Sequence, residues 1–246
     1  MDKGGVQSVT RAFEVLEVLG EHGPMSLSRL AAAAELPLTT VHRLVGSLSM
    51  LGYVVSDSTK QYSLAPRLMH LGERAGRMLA RWAVPHLTTL VEEVGETANL
   101  AMLDGDQVVY VAQVQSKHSM RMFMEVGRRA NPHCTAVGKV LLARMPAEDV
   151  AAVAQRTGLP AQTEHTLTTL FDLTAALERA RSSGYALDEG EQEVGVRCVA
   201  VAVAGSTMPL AISVSGAAPR MTDDLISRAV PAMTAAAASL AADLGG

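Results

Sequence analysis

The stretch Leu36-Pro-Leu-Thr-Thr-Val-His-Arg-Leu-Val-Gly-Ser-Leu-Ser-Met-Leu-Gly-Tyr53 decides how the rest of the chain is read. Its apolar residues Val41, Leu44, Val45 and Leu48 fall at i, i+3, i+4 and i+7, one stripe of an α-helix facing a core. The opposite side carries Thr39, Thr40, His42, Arg43 and Ser47, short hydroxyls, an imidazole and a guanidinium of the kind that meet base edges and phosphates in a major groove. Gly52 ends the helix, Tyr53-Val-Val55 starts a strand, Asp57-Ser-Thr-Lys60 turns the chain and Gln61-Tyr-Ser-Leu64 returns. A plain amphipathic helix with a solvated side has the same periodicity. Two helices ahead of the stretch and a hairpin behind it point to a helix-turn-helix with a β-wing. Ser26, at the start of the second helix, and Lys60, at the wing tip, join the five helix residues as candidate DNA contacts.

Working outward, a first helix is expected over residues 6–22, with Val9, Ala12, Leu16 and Leu19 inward and Gly23-Pro24 as its stop. A second begins behind the N-cap Ser26 and repeats Leu27, Leu30, Ala31 and Ala34 at helical spacing. Residues 1–66 thus form a complete DNA-binding domain. Residues 67–82 read as a linker helix with Leu68, Leu71, Ala75 and Leu79 on one side, either a dimer contact or a plain connector, and Pro85 marks a fresh start. Residues 83–246 form the second domain. Its expected elements are a helix over 86–95, a hairpin of strands 97–103 and 107–114 about Asp104-Gly105, and an irregular piece over 120–132. Helices over 135–144, 147–157 and 169–183 follow, then strands 185–188, 197–203 and 210–215, and a last helix capped by Thr222. That order gives an α+β domain with helices packed on an antiparallel sheet.

Composition sets the class. With 246 residues, 48% hydrophobic and 19% charged, the chain can bury a substantial core. No signal peptide is visible, no apolar run is read as a membrane span, and two cysteines are too few for a disulfide scaffold, so a prokaryotic cytoplasmic protein with no membrane partner is expected. The net charge is −4, and residues 1–66 hold five basic residues against six acidic ones. Only the next segment, with Arg67, Arg74, Arg77 and Arg81 against Glu73, turns the N-terminal part positive. So weakly basic a DNA-binding half implies a dimer reading two half-sites rather than a coat of phosphate contacts.

Two segments of the second domain carry candidate chemistry. In Asn131-Pro-His-Cys-Thr-Ala-Val-Gly-Lys139 a turn leads into a helix start of small residues, either an anion site formed by free N–H groups or a start selected for close packing. In Gly184-Tyr-Ala-Leu-Asp-Glu-Gly-Glu-Gln-Glu-Val-Gly-Val-Arg-Cys198 four carboxylates, Asp188, Glu189, Glu191 and Glu193, precede a buried strand, and a solvated loop is their commoner explanation than a metal. Cys198 alternates with Ala200 and Ala202 on one strand face, and Ser213 and Ser215 share a face of the next strand opposite Ile212 and Val214. Two serines and a cysteine on one sheet face suggest a small-molecule pocket; small residues under a packed helix would look the same. No cofactor motif is present. A His133 or Cys134 nucleophile pair lacks an orienting third residue, so no enzyme is expected, while a metal- or thiol-responsive use of Cys134 and Cys198 is the competing reading.

At these residues the sequence resembles the IclR family of bacterial transcriptional regulators over nearly its whole length. Val-Gln-Ser-Val-Thr-Arg-Ala (6–12), Leu-Pro-Leu-Thr-Thr-Val-His-Arg-Leu-Val (36–45), Gly52-Tyr53 and Leu71-Gly72 are similar to the family's DNA-binding half. Gly95-Glu-Thr-Ala-Asn-Leu, His133-Cys-Thr-Ala-Val-Gly-Lys139 and Gly195-Val-Arg-Cys198 are similar to its effector half. The resemblance implies a winged helix-turn-helix, a dimerising linker helix and a GAF-like effector domain. It also implies a homodimer or homotetramer on a palindromic operator in double-stranded DNA, and a small organic acid such as an oxo acid or aromatic catabolite as effector. By motif, effector contacts fall to Ala136 with its neighbours Val137 and Gly138, to Asp188, to Val196 and Cys198, and to Ser213 and Ser215. The expected function is an effector-responsive regulator, a repressor of a catabolic operon. Ligand in the second domain would alter how the linker helices hold the winged domains.

Overall fold

The structure is a computed structural model describing residues 6–118 and 126–245. The first part of the irregular piece expected over 120–132 lies outside the described residues. The chain divides into two compact units at Ala75/Gly76.

The N-terminal unit holds α1 (Gln7–His22), α2 (Leu27–Ala33), α3 (Leu38–Met50) and the antiparallel pair β1 (Val54–Ser56) and β2 (Tyr62–Leu64), the winged helix-turn-helix expected from sequence. Ser26 caps α2 by accepting the Arg29 N–H. Val41, Val45 and Leu48 of α3 are buried against Val15, Leu16, Leu19 and Leu30, with Leu44 half-buried beside them. The inward face of α1 is turned from the expected one. Val9 is 54% exposed and Ala12 half-buried, because Val15, which shares a stripe with Leu16 and Leu19, takes the central place. The wing turn is closed by Asp57, whose Oδ1 accepts the N–H groups of Thr59 and Gln61 at 2.8 and 2.9 Å.

Helix α4 (Arg67–Val94) is continuous, so the fresh start expected at Pro85 is corrected: the proline lies inside the helix. A mid-helix proline costs about 3 kcal/mol through its missing N–H and ring clash. Leu79, Ala83, Leu87, Leu90 and Val91 are buried along one stripe that spans the proline, and their packing offsets that cost. On the earlier part of the helix Leu68 is half-buried, while Leu71, at 52%, and Ala75 are exposed within the chain.

The C-terminal unit is built on a six-stranded antiparallel sheet, β3 (Thr97–Asp104), β4 (Gln107–Val114), β5 (Arg129–Ala130), β6 (Ala186–Glu189), β7 (Val196–Ala202) and β8 (Leu210–Ala217), in the order β5-β4-β3-β8-β7-β6. β5 was not expected. Helices α5 (Ala136–Leu142), α6 (Ala147–Thr157) and α7 (Leu170–Ser183) cover one face, and α8 (Asp223–Asp243) with Leu87, Leu90 and Val91 of α4 covers the other. Strand alternation divides two cores. Val199, Val201, Ile212 and Val214 face α8, while Cys198, Ala200 and Ala211 face α5. By length and composition α8 could cross a membrane, but Ile226, Ala229, Met233, Ala237 and Leu240 are buried in the sheet-facing core.

Candidate functional site

On α3 the polar candidates take the positions their spacing dictates. Thr39, His42, Arg43 and Ser47 are exposed and Thr40 is half-buried, while Val41, Val45 and Leu48 point inward. Ser47 Oγ donates to the Arg43 carbonyl at 3.1 Å, so this hydroxyl is partly used within its own helix, although its lone pairs stay free. Arg43 has no carboxylate within ion-pair distance among the described residues, and Lys60 is exposed at the wing turn with φ of 59°. Ser26 is spent as the α2 cap, with its Oγ also 3.2 Å from Ser28 Oγ.

The second candidate region sits on the α5 side of the sheet. Pairing sets Asn99 of β3 opposite Ser213 of β8, and Ser215 opposite Cys198 of β7. Asn99 Nδ2 donates to Ser213 Oγ and Ser215 Oγ at 3.3 and 3.2 Å, and Gln113 Nε2 donates to Asn99 Oδ1 at 2.8 Å. Over this network lies an enclosed hollow of about 20 Å³, lined among others by Asn99, Tyr110, Asp188, Gln192, Cys198 and Ser215. That is room for a single water. Of the sequence candidates, Asp188, Val196, Cys198 and Ser215 line it and Ser213 adjoins it through Asn99. Ala136, Val137 and Gly138 do not line it. A Cβ on Gly138 would collide with the backbone of Pro132, so this glycine serves close packing of the 132–134 turn on α5, and its N–H is already donated to Thr135 Oγ1.

The acidic loop is divided: Glu189 and Glu193 are exposed, as the commoner explanation expects, whereas Asp188 and Glu191 are not. Asp188 and Glu191 are 5% and 6% exposed, Glu191 is ion-paired with the equally buried Lys139, and Glu189 pairs with Arg197 at 2.6 Å. Asp188 Oδ1 accepts the N–H groups of Glu191 at 2.7 Å and Gln192 at 3.4 Å. Burial outweighs those bonds and pushes the Asp188 carboxyl up to about 7, with the Glu191 charge adding to it. Gln192 is held over the hollow by Cys134, whose Sγ donates to its Oε1 at 3.0 Å. Burial and the Asp188 charge push both thiols, Cys134 and Cys198, up to about 12, far from the thiolate form a reactive cysteine needs.

His133 is buried with Nε2 on the Pro160 carbonyl at 3.1 Å while Cys134 faces Gln192, so the two do not form a nucleophile and base. Among the described residues no three His, Cys, Asp or Glu side chains converge on a metal position. Asn99, Tyr110, Gln113 and Gln192 were not singled out in the sequence, and Glu193 only as one of the loop carboxylates. Asn99 was findable, because an amide at the middle of an apolar strand, two residues from Thr97, must lie on one face with it.

A winged helix-turn-helix with an exposed polar recognition face, followed by an α+β unit with a polar network buried under helices, defines a ligand-responsive DNA-binding protein. The model of the IclR helix-turn-helix domain matches residues 8–58, and that of the bacterial transcriptional regulator IclR C-terminal domain matches residues 75–242. The chain belongs to the IclR family of transcriptional regulators and is not an enzyme. It is 32% identical over 245 residues to the HTH-type transcriptional regulator KdgR of Escherichia coli, covering 98% of this chain and 93% of that protein. It is 34% identical over 232 residues to the transcriptional repressor IclR of the same organism, covering 91% of this chain and 85% of that one. The solved Thermotoga maritima IclR superposes with a TM-score of 0.66 at 26% identity, over 98% of this chain and 99% of that one. DNA binding by the N-terminal unit and small-molecule binding by the C-terminal unit follow from this membership.

Proposed function

We propose that this chain is a cytoplasmic repressor of a catabolic operon. It binds a palindromic operator as a homodimer or homotetramer and senses a small organic acid, an oxo acid or aromatic catabolite, in the hollow around Asp188, Val196, Cys198, Ser213 and Ser215. Thr39, Thr40, His42, Arg43, Ser47 and Lys60 read the DNA. The observation that carries the reading is the buried Asn99–Ser213–Ser215 network beside Asp188, a polar set with no neighbouring apolar explanation. A relative 34% identical over 232 residues, in Salmonella typhimurium, is named an acetate operon repressor.

An acidic ligand beside a carboxylate is disfavoured unless the carboxylate carries a proton. Asp188, held near 7, supplies that proton around neutral pH and can donate to the ligand's oxygen. Since about 20 Å³ admits no organic acid, binding requires the roof over residues 192–196 to shift. That roof contains Gly195 and is preceded by Gly190, at positive φ of 81° and 80°. Ligand binding is then coupled to DNA affinity, with α4, which carries residues of both units, as the shared element.

The test is selection of a binding site from a randomised duplex pool by the full-length protein, followed by a thermal-shift screen of small carboxylic acids. A two-fold symmetric site and an acid that both raises the melting temperature and lowers affinity for that site are expected. Absence of any selected site refutes the reading.

A further inference from the structure

Between α7 and the outer strand β6 lies a cleft of about 520 Å³, well within the ~300–1,000 Å³ of small-molecule sites and far larger than the hollow around Asp188. Its lining is mixed: Ala176 and Ala180 from α7, Leu187 and the ring of Tyr185 from the strand side, and Leu167 make an apolar strip, beside which Ser182 and Ser183 donate their hydroxyls to the Arg179 carbonyl. Four charged side chains reach it, and three of them are already engaged. Glu189 is paired with Arg197, and Lys139 with Glu191. Arg179 alone of the four has no carboxylate within ion-pair distance among the described residues, and its guanidinium is exposed at the side of the cleft. The cleft therefore offers one uncompensated cation beside an apolar trough. At its inner end stands Glu191, whose Oε2 is buried with no hydrogen-bond partner and whose N–H holds Asp188 Oδ1.

We propose that this cleft is a second small-molecule site, separate from the Asp188–Cys198 hollow, and that it takes an amphiphilic monocarboxylate. The carboxylate lies on Arg179 and the apolar body along Ala176, Ala180 and Leu187. Charge complementarity selects the ligand. A dianion would place its second charge beside Glu189 and Glu191, and a cation would face Arg179. Because Glu191 closes the cleft on one side and orients Asp188 on the other, occupancy of the cleft bears on the hollow through a single residue. The inference goes beyond the regulator reading, since it needs no DNA binding to hold.

Isothermal titration of the full-length protein with benzoate, and with its neutral isostere benzamide, tests it. Benzoate is expected to bind, and benzamide to bind about tenfold more weakly because the charge-assisted contact is gone. Arg179→Ala should cost benzoate about the same factor. Ala176→Trp, which fills the trough, should abolish the Arg179-dependent component of binding, while Ser213→Ala with Ser215→Ala should leave that component intact. Thermal melts of each variant exclude unfolding, and should Ala176→Trp not fold, the exposed Arg179 carries the test alone. Failure of benzoate to bind, or binding that survives Arg179→Ala and disappears in the double serine variant, overturns the proposal. Operator binding measured on the same samples keeps the outcomes apart: its loss bears on the regulator reading and not on the cleft.

Discussion

Asp188 shows how one side chain's surroundings set its chemistry. Its carboxyl, ordinarily near 3.8, titrates at about 7 in the folded protein because burial disfavours the charge more than the two backbone N–H donors favour it. Between those values the folded state binds more protons than the unfolded one. The carboxyl's contribution to stability is therefore fully present below about pH 4 and is lost as pH rises through 7, at about 1.4 kcal/mol for each pH step of one between the two. Denaturant titrations from pH 4 to 8 should show Asp188→Asn gaining on the parent as pH rises; a constant difference would mean that the carboxyl is not perturbed. The Lys139–Glu191 pair follows the opposite logic, because both ends are buried and each neutralises the other. Lys139→Met should cost about 3–5 kcal/mol by stranding the Glu191 charge, and adding Glu191→Met should recover most of it. Equal melting of the single and double variants would contradict this. Single residues were legible where a period exposed them, as with Cys198, Ser213 and Ser215. The burial of Asp188 and Glu191 was not, because nothing in a run of carboxylates announces the lysine of a distant helix that neutralises one of them.

Elements show the same division between local pattern and tertiary packing. The recognition helix, the wing and the strand hairpin about Asp104-Gly105 were readable because their apolar periods and turn residues agree with one another. Pro85 misled the reading because proline is a local signal, whereas the stripe Leu79, Ala83, Leu87, Leu90 and Val91 that holds α4 together gains its energy from the sheet it covers. Pro85→Ala, by restoring a backbone donor within a packed helix, should stabilise the C-terminal unit by roughly 1–3 kcal/mol in thermal or urea melts. A destabilisation would show that the helix is built around the proline's geometry. The short strand β5 escaped because its two residues carry no period at all. On α5 the small residues Ala136, Val137 and Gly138 proved to be buried, Gly138 directly against the Pro132 backbone, so Gly138→Ala should destabilise by overpacking, by about 1–3 kcal/mol or more, whatever its effect on ligand.

At the scale of the molecule, the charge distribution anticipated the division of work. The exposed face of α3 carries a single guanidinium, Arg43, so under the proposed reading specificity falls on few contacts and on symmetry between half-sites, while the polar network of the C-terminal unit is buried. The architecture was legible because fold class follows from element order, and the family from several motifs in sequence. The volume of the hollow was not, since a cavity is what side chains from five strands and a loop leave over. The crossed titration of two variants against two ligands tests the account most directly. Operator affinity and effector affinity are measured by fluorescence anisotropy and calorimetry for Arg43→Ala and for Ser213→Ala/Ser215→Ala. Arg43→Ala should weaken operator binding by about 1–3 kcal/mol with effector affinity unchanged, and the serine pair the reverse. Parallel loss of both affinities in either variant would contradict the separation of reading and sensing.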